Sequence, residues 1–240
     1  MNQQFIRRVE IDQNIISKDS YLRKIPAINS LDGIDFNNPI TIFAGENGTG
    51  KSTLLEAMAI AYGFNPEGGT KNYMFSTHDS HSELHNAVKI IRGFLKEKYG
   101  YFLRAESFYN VATMEEEYED INHPSEKYHE KSHGESFLAL SLKQIRPNGL
   151  YFLDEPEAAL SPQRQLSLLA HIYRCATEGA QFFIVSHSPI LLGIPGAEII
   201  SFDNGSIHPI SYPETDSYIV SELFINHRDE LIEKLLNDNV

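Results

Sequence analysis

The chain has 240 residues, of which 41% are hydrophobic and 22% are charged, a composition typical of a globular domain with a sizeable core. Acidic residues outnumber basic ones by 33 to 20, and the formal net charge of −13 excludes a protein that is basic over its whole surface. The single cysteine, Cys175, excludes a disulfide framework, and the lack of a signal-peptide pattern and of an apolar run of about 18 residues predicts a cytoplasmic protein without direct membrane insertion.

Hydrophobic periodicity and turn residues predict strands that alternate with helices along the chain. The predicted strands are 5–11, 40–44, 99–104, 150–153 and 181–186, followed by a hairpin over 197–211 that turns at Asn204-Gly205. The predicted helices are 51–62, 83–98, 135–145, 162–177 and 216–238. This alternation indicates an α/β fold in which helices flank a mostly parallel sheet.

The first motif with a chemical meaning spans residues 45–52, which read Gly-Glu-Asn-Gly-Thr-Gly-Lys-Ser and match the phosphate-binding pattern G-x-x-x-x-G-K-[ST]. It follows the apolar strand 40–44 and opens the helix 51–62, the context that phosphate binding requires. Lys51 would reach the β and γ phosphates of ATP, and the Ser52 hydroxyl would bind Mg²⁺. The predicted nucleotide-binding residues of this loop are Gly45, Glu46, Asn47, Gly48, Thr49, Gly50, Lys51, Ser52 and Thr53.

Two carboxylates, Asp154 and Glu155, follow the apolar strand 150–153. Ligands bind at the carboxyl edge of an open α/β sheet, which is where these side chains emerge. We assign Asp154 to Mg²⁺, directly or through water. We assign Glu155 to the attacking water, which it would orient or deprotonate.

With these two motifs about a hundred residues apart, the chain resembles the ABC-type ATPase superfamily through most of its length. Residues 132–136, Ser-His-Gly-Glu-Ser, resemble the signature motif usually written LSGGQ, residues 157–161 stand where the D-loop belongs, and His187 stands where the switch histidine belongs. The runs Asp-Glu-Pro-Glu-Ala-Ala-Leu-Ser-Pro and Ser-His-Ser-Pro resemble small stand-alone ATPases related to SMC, RecF and OLD-type proteins more than transporter subunits.

The resemblance implies a P-loop NTPase fold of ABC-ATPase type, with a small N-terminal antiparallel β part and a short helical lobe. We expect a single domain over 1–240, with the helical or variable lobe at about 64–131. Within and just after that lobe, the acid-rich run 114–133 is expected to be a solvated loop.

The resemblance also implies a homodimer in which two copies sandwich two ATP molecules. Ser132, Gly134 and Glu135 of one copy would lie at the γ-phosphate bound by the other, while His187 would contact that phosphate in cis and help Glu155 to hold the water. The implied catalytic residues are Lys51, Glu155 and His187. Hydrolysis by this Mg²⁺-dependent ATPase would separate the copies and drive or gate an unidentified protein partner, and nucleic acid is a further open partner.

The chain departs from the family pattern at several positions. His133 and Glu135 replace a glycine and a glutamine of the signature, and Ser161 replaces the D-loop aspartate. The Q-loop glutamine has no clear counterpart, so Glu106 is the candidate for the metal-sensing role. The alternative function is that of the ATP-binding subunit of an ABC transporter, against which the altered signature argues.

A basic stripe is a weaker signal. Lys89, Arg92 and Lys96 share one face of the predicted helix 83–98, and Arg104 follows it. The stripe would suit DNA phosphates or an acidic partner, but a solvated helix face is the favoured interpretation.

Overall fold

A computed structural model describes residues 4–70, 82–104 and 133–237 of the chain. The strands are β1 Ile6–Ile11, β2 Gly33–Asp35, β3 Ile40–Ala44, β4 Val88–Arg92, β5 Tyr99–Arg104, β6 Gly149–Asp154, β7 Gln181–Val185, β8 Glu198–Ser201 and β9 His208–Ile210. The α-helices are α1 Pro26–Asn29, α2 Lys51–Tyr62, α3 His133–Gln144, α4 Pro162–Thr177, α5 Pro189–Leu192, α6 Asp216–Asn226 and α7 Arg228–Asn237. Short 3-10 turns occupy Tyr21–Lys24, Glu83–Asn86, Asp203–Gly205 and Tyr212–Glu214.

The larger of two sheets has six strands in the order β5-β6-β7-β3-β8-β9. The strands from β5 to β8 run parallel to their neighbours, and β9 alone pairs antiparallel, with β8. The central strands β3 and β7 are buried at every position, as expected for parallel strands that helices cover on both faces. The structure therefore confirms the predicted α/β fold with a mostly parallel sheet.

Two hydrophobic clusters lie on the two faces of this sheet. Because side chains alternate along a strand, Phe43 and Phe183 enter the cluster that contains α2, whereas Ile42 and Ile184 enter the cluster that contains α3 and α4. Burial of large side chains on both faces holds the carboxyl ends of the central strands at fixed positions, which matters for the site described below.

The smaller sheet has the order β2-β1-β4, with antiparallel pairing throughout, and it confirms the predicted N-terminal antiparallel β part. Its third strand shows that the helix predicted over 83–98 is wrong. Val88 and Ile90 pair with Ile11 and Val9 of β1, so β-branched residues that happened to follow helical spacing form a ladder instead.

The remaining predicted elements agree with the structure to within one or two residues at most bounds. The C-terminal helical region 216–238 is divided at His227, whose φ of −132° ends α6. The predicted lobe at 64–131 lies partly outside the described residues, which lack 71–81 and 105–132, and its bounds remain a prediction. In the described part of the chain, every helix is too short or too polar to cross a membrane.

Candidate nucleotide site

Three chain segments with polar residues meet at one edge of the larger sheet. β3, β7 and β6 are parallel neighbours, so their carboxyl ends lie side by side. The glycine-rich loop 45–50 follows β3, Asp154 and Glu155 lie at the end of β6, and His187 follows β7. The fold thus brings together the glycine-rich loop, the strand-end carboxylates and His187, which the sequence analysis selected separately.

The loop requires glycine at Gly45 and Gly50 for reasons of conformation and space. Their φ angles of 133° and 100° lie in the region that L side chains rarely adopt. A Cβ atom on Gly50 would lie 2.9 Å from side-chain atoms of Ile25 and Ile28, and one on Gly45 would lie 2.7 Å from Oδ1 of Asp203. The backbone therefore wraps tightly in front of the first turn of α2, where amide groups favour an anion.

Lys51 begins α2 and points its ammonium group into the loop. The residue is only 4% exposed, and its Nζ donates hydrogen bonds to the carbonyl oxygens of Gly45 at 2.7 Å and Glu46 at 2.6 Å. Burial lowers the pKa of Lys51, and the nearby carboxylates of Asp203 and Glu155 counteract this effect. The loop thus holds a buried cation next to its own backbone, where a phosphate group would meet it.

The Ser52 hydroxyl donates a hydrogen bond of 2.8 Å to Oδ1 of Asp154. A hydroxyl and a carboxylate are hard oxygen donors, and this pair fits Mg²⁺, which is usually bound by one or two protein oxygens together with phosphate oxygens. Within residues 4–70, 82–104 and 133–237, no group of three or more His, Cys, Asp and Glu side chains could hold a metal alone. The donor set therefore fits a metal that arrives with a nucleotide.

Glu155 and His187 face each other across the ends of β6 and β7. Glu155 has a φ of 47°, a strained value for a residue with a side chain, and its amide donates to the carbonyl of Val185 at 3.0 Å. Its Oε1 lies 3.9 Å from Nε2 of His187. That Nε2 is buried and lacks a hydrogen-bond partner within the described residues. The hydrogen-bonding capacity of Nε2 is therefore unused within the described residues.

His187 also shares a cavity with the phosphate-binding loop. The cavity has a volume of about 460 Å³, and its lining includes Glu46, Asn47, His187 and Asp203. A volume of this size is within the range of small-molecule sites. The loop and the histidine therefore border one continuous space.

Glu157 organises the turn that carries His187, a role that the sequence analysis missed. Its Oε1 accepts hydrogen bonds from the Ser186 hydroxyl at 2.8 Å, the His187 amide at 2.6 Å and the Ser188 amide at 3.1 Å. The sequence placed Glu157 only within the D-loop segment. The third acid of Asp-Glu-Pro-Glu was a visible signal, but nothing in the sequence linked it to a turn 30 residues later.

Asp203 supports the phosphate-binding loop from the end of β8 and was also missed. Its Oδ1 accepts a hydrogen bond of 2.8 Å from the amide of Glu46, and its Oδ2 accepts one of 3.0 Å from the Ser201 hydroxyl. The sequence analysis treated this residue as part of a hairpin turn, because the contact spans 157 positions along the chain.

The residues of the predicted signature motif contact α4 and the segment that precedes it. Gly134 is buried in the first turn of α3, where a Cβ atom would lie 2.7 Å from both the Ala159 carbonyl and Nη1 of Arg164. Glu135 is exposed and pairs with Arg164 at 2.9 Å. The start of α3 therefore packs on the segment that follows Glu155. Ser132 and Glu106 lie outside the described residues, so their predicted roles remain predictions.

A family model described as an AAA domain matches residues 21–166, more than half of the chain, including the phosphate-binding loop and β6. No curated protein matches. Among solved structures, the SMC head domain from Thermotoga maritima is 12% identical over 87% of this chain and 100% of that one, with a TM-score of 0.49. A nucleotide-free ATP-binding cassette from an ABC transporter is 17% identical over 91% of this chain and 95% of that one, with a TM-score of 0.47.

Proposed function

The chain belongs to the AAA-domain family, which agrees with the predicted P-loop NTPase of ABC and SMC type. From this premise we propose that the chain is a Mg²⁺-dependent ATPase that acts as an ATP-sandwich homodimer. The observation that carries the proposal is the convergence of three segments at one sheet edge. The buried Lys51 ammonium would supply a phosphate contact, the Ser52–Asp154 pair a metal ligand set, and the Glu155–His187 pair a group for the attacking water.

The phosphate-binding loop would hold the nucleotide through its backbone. Amides of residues 45–53 and the Lys51 ammonium would contact the β and γ phosphates, with Glu46, Asn47 and Thr49 shaping the loop between its glycines. Mg²⁺, when bound, would neutralise charge on these phosphates. Ser52 and Asp154 are the residues that would hold it, and Glu106 is a further candidate ligand.

Hydrolysis would use the pair at the ends of β6 and β7. Glu155 would orient a water molecule and accept its proton as the water oxygen attacks the γ phosphorus. The bond from that phosphorus to the β–γ bridging oxygen would break, and ADP would carry away the bridging oxygen. His187 would contact the γ-phosphate through Nε2, held in position by the bonds that Glu157 makes to its amide and its neighbours.

The second copy would complete each site. Ser132, Gly134 and Glu135 at the start of α3 would contact the γ-phosphate bound by the other copy, because a helix N-terminus favours an anion. Gly134 packs on Ala159, and Glu157, two residues before Ala159, accepts a hydrogen bond from the His187 amide. The segment 157–159 therefore contacts both the signature motif and the turn that carries His187. Loss of the γ-phosphate would weaken the contact between copies and drive or gate a protein partner.

A mixing experiment tests this proposal. We expect Lys51→Ala and Ser132→Ala each to lose ATP turnover when pure. In an equal mixture, each heterodimer has one site with an intact loop and an intact signature, so turnover should return to about a quarter of the native value. A mixture that stays as inactive as its two parents would contradict the shared site, and a pure Lys51→Ala protein with native turnover would contradict the phosphate contact.

A further inference from the structure

A basic cavity lies at the edge of the larger sheet opposite to the nucleotide site. It has a volume of about 560 Å³ and flanks the amino ends of β5 and β6, whereas the phosphate-binding loop and Asp154 lie at carboxyl ends. The residues that line it are Thr70, Arg92, Lys96, Glu97, Lys98, Tyr99, Gly100, Gln144 and Arg146. We call residues 92–99 together with Arg146 the basic loop site.

The charge of this site contrasts with that of the chain. Four cationic side chains and one carboxylate line the cavity of a protein whose formal net charge is −13. The single carboxylate, Glu97, accepts a hydrogen bond of 2.6 Å from the Tyr62 hydroxyl. Lys96 and Lys98 are exposed and form no ion pair within the part of the chain that the structure describes. The cavity therefore offers a local positive field to an anionic ligand.

Exposed aromatic side chains accompany these cations. Phe94 is 96% exposed and Tyr99 is 44% exposed, so neither ring serves mainly to fill a core. The guanidinium of Arg146 lies 5.3 Å from the centroid of the Tyr99 ring. Flat exposed rings between cations are the combination by which proteins bind unpaired nucleic acid, with rings under bases and cations on phosphates.

The basic loop site is anchored at both ends, which limits the entropy that binding would cost. The Gly93 amide donates to the Phe5 carbonyl at 2.8 Å, and the Lys98 amide donates to the Asn148 carbonyl at 2.9 Å. Arg92 lies 4.2 Å above the Tyr62 ring centroid. The loop therefore presents its aromatic and cationic side chains from a fixed backbone.

We propose that the basic loop site binds single-stranded nucleic acid, with Lys96, Lys98 and Arg146 on phosphates and with Phe94 and Tyr99 stacked on bases. An acidic peptide would use the same cations but would leave the almost fully exposed Phe94 without a role, and for this reason nucleic acid fits better. The site is separate from the nucleotide site, and its occupation does not depend on ATP hydrolysis.

Fluorescence anisotropy of the full chain with a labelled oligothymidylate of about 20 nucleotides tests the proposal without added ATP. We expect binding that weakens with salt, with a slope of log affinity against log salt of about −2 for three neutralised phosphates. Phe94→Ala should weaken binding about tenfold through lost stacking. The Lys96→Glu, Lys98→Glu double variant should weaken it further and make the slope shallower.

Two controls make the result specific. Lys89 belongs to the same stretch of sequence but lies outside the cavity, pairs with Glu10 at 3.5 Å and is 74% exposed, so Lys89→Ala should bind like the native protein. Lys51→Ala should also keep oligonucleotide binding, which separates this proposal from the ATPase. Absence of oligonucleotide binding, or binding unchanged by both Phe94→Ala and the double lysine variant, would overturn the proposal. So would a polyglutamate peptide that displaces the oligonucleotide at equal charge concentration and binds Phe94→Ala undiminished.

Discussion

The two edges of the larger sheet present their cations in different ways. At the carboxyl edge Lys51 is 4% exposed, is bonded to loop carbonyls and has carboxylates nearby. At the amino edge, about 20 Å away along β5, the cations Lys96, Lys98 and Arg146 are exposed. A buried cation needs partners at fixed positions to offset its loss of hydration, so it suits a ligand that binds in one geometry. Exposed cations on long side chains can adjust to the different shapes of a flexible polyanion.

This difference predicts that the two edges respond independently to substitution. Sites more than about 10 Å apart without shared partners usually show additive effects. The loop at the carboxyl edge would hold its ligand through backbone amides and one ammonium group, so its variants should affect ATP binding and leave oligonucleotide binding intact. Variants at the amino edge should do the opposite.

The largest expected effect comes from Lys51→Ala. Removal of the buried ammonium should lower ATP turnover by roughly 10²–10³-fold, since the charged group that we propose to contact the transferred phosphoryl group is lost. Steady-state turnover and calorimetric ATP binding measure this effect. The matched control is Lys98→Ala at the opposite edge, which should keep native turnover. Equal losses of ATP turnover in both variants would contradict the claim that the two edges act independently.

A smaller effect is expected from Glu157→Ala. The three donors at Ser186, His187 and Ser188 would lose their common acceptor, so His187 would be poorly placed and kcat should fall about tenfold with little change in KM for ATP. A double-mutant cycle gives the sharper measurement. In a His187→Ala background, Glu157→Ala should cause no further loss of kcat, because the group it positions is absent. Additive losses would show that Glu157 acts elsewhere.

The smallest effect concerns stability at the amino edge. The Tyr151 hydroxyl accepts a hydrogen bond of 2.7 Å from the Arg146 amide and donates one of 2.8 Å to the Arg146 carbonyl. Tyr151→Phe should lower the free energy of unfolding at neutral pH by about 1–2 kcal/mol, because both backbone groups lose their partner. Urea unfolding measures the change, and ATP turnover per folded molecule should remain native.

The same residue gives a pH dependence with a defined sign. Burial raises the pKa of Tyr151 from 10.0 to about 12, which means that folding favours the protonated form. Its contribution is complete below pH 10 and is lost as the pH rises from 10 towards 12. The fall in unfolding free energy over that interval should therefore be less steep in Tyr151→Phe. An equal slope in both proteins would contradict the buried hydroxyl.

Local signals in the sequence were sufficient to predict the strand, loop and helix at the carboxyl edge. The strand 40–44, the glycine loop and the helix 51–62 are contiguous, and each carries its own pattern, so the structure reproduces their bounds. The structure near the amino edge depends on pairing between strands that are far apart in the sequence. The spacing of Leu84, Val88 and Ile91 suits a helix, but partners in β1 some 80 positions earlier turn this stretch into β4. Cations predicted on one helix face are therefore distributed between a strand and the basic loop site.

Support for the nucleotide site was equally hidden from local analysis. Asp203 and Glu157 accept hydrogen bonds from residues that are 157 and 30 positions away in the sequence. No hydrophobic periodicity in the sequence indicates such contacts. The strained backbone of Glu155 is also a product of tertiary structure, because its amide is fixed by the carbonyl of Val185 on the neighbouring strand.

The most direct test of the account is the molar mass of Glu155→Gln with and without Mg-ATP, measured by light scattering. The variant keeps the phosphate-binding loop but lacks the group assigned to water, so it should hold ATP and double its mass when Mg-ATP is added. The double variant Lys51→Ala, Glu155→Gln should keep a single-copy mass under the same conditions. A Glu155→Gln protein that binds Mg-ATP and keeps a single-copy mass would contradict the claim that two copies close over the nucleotide.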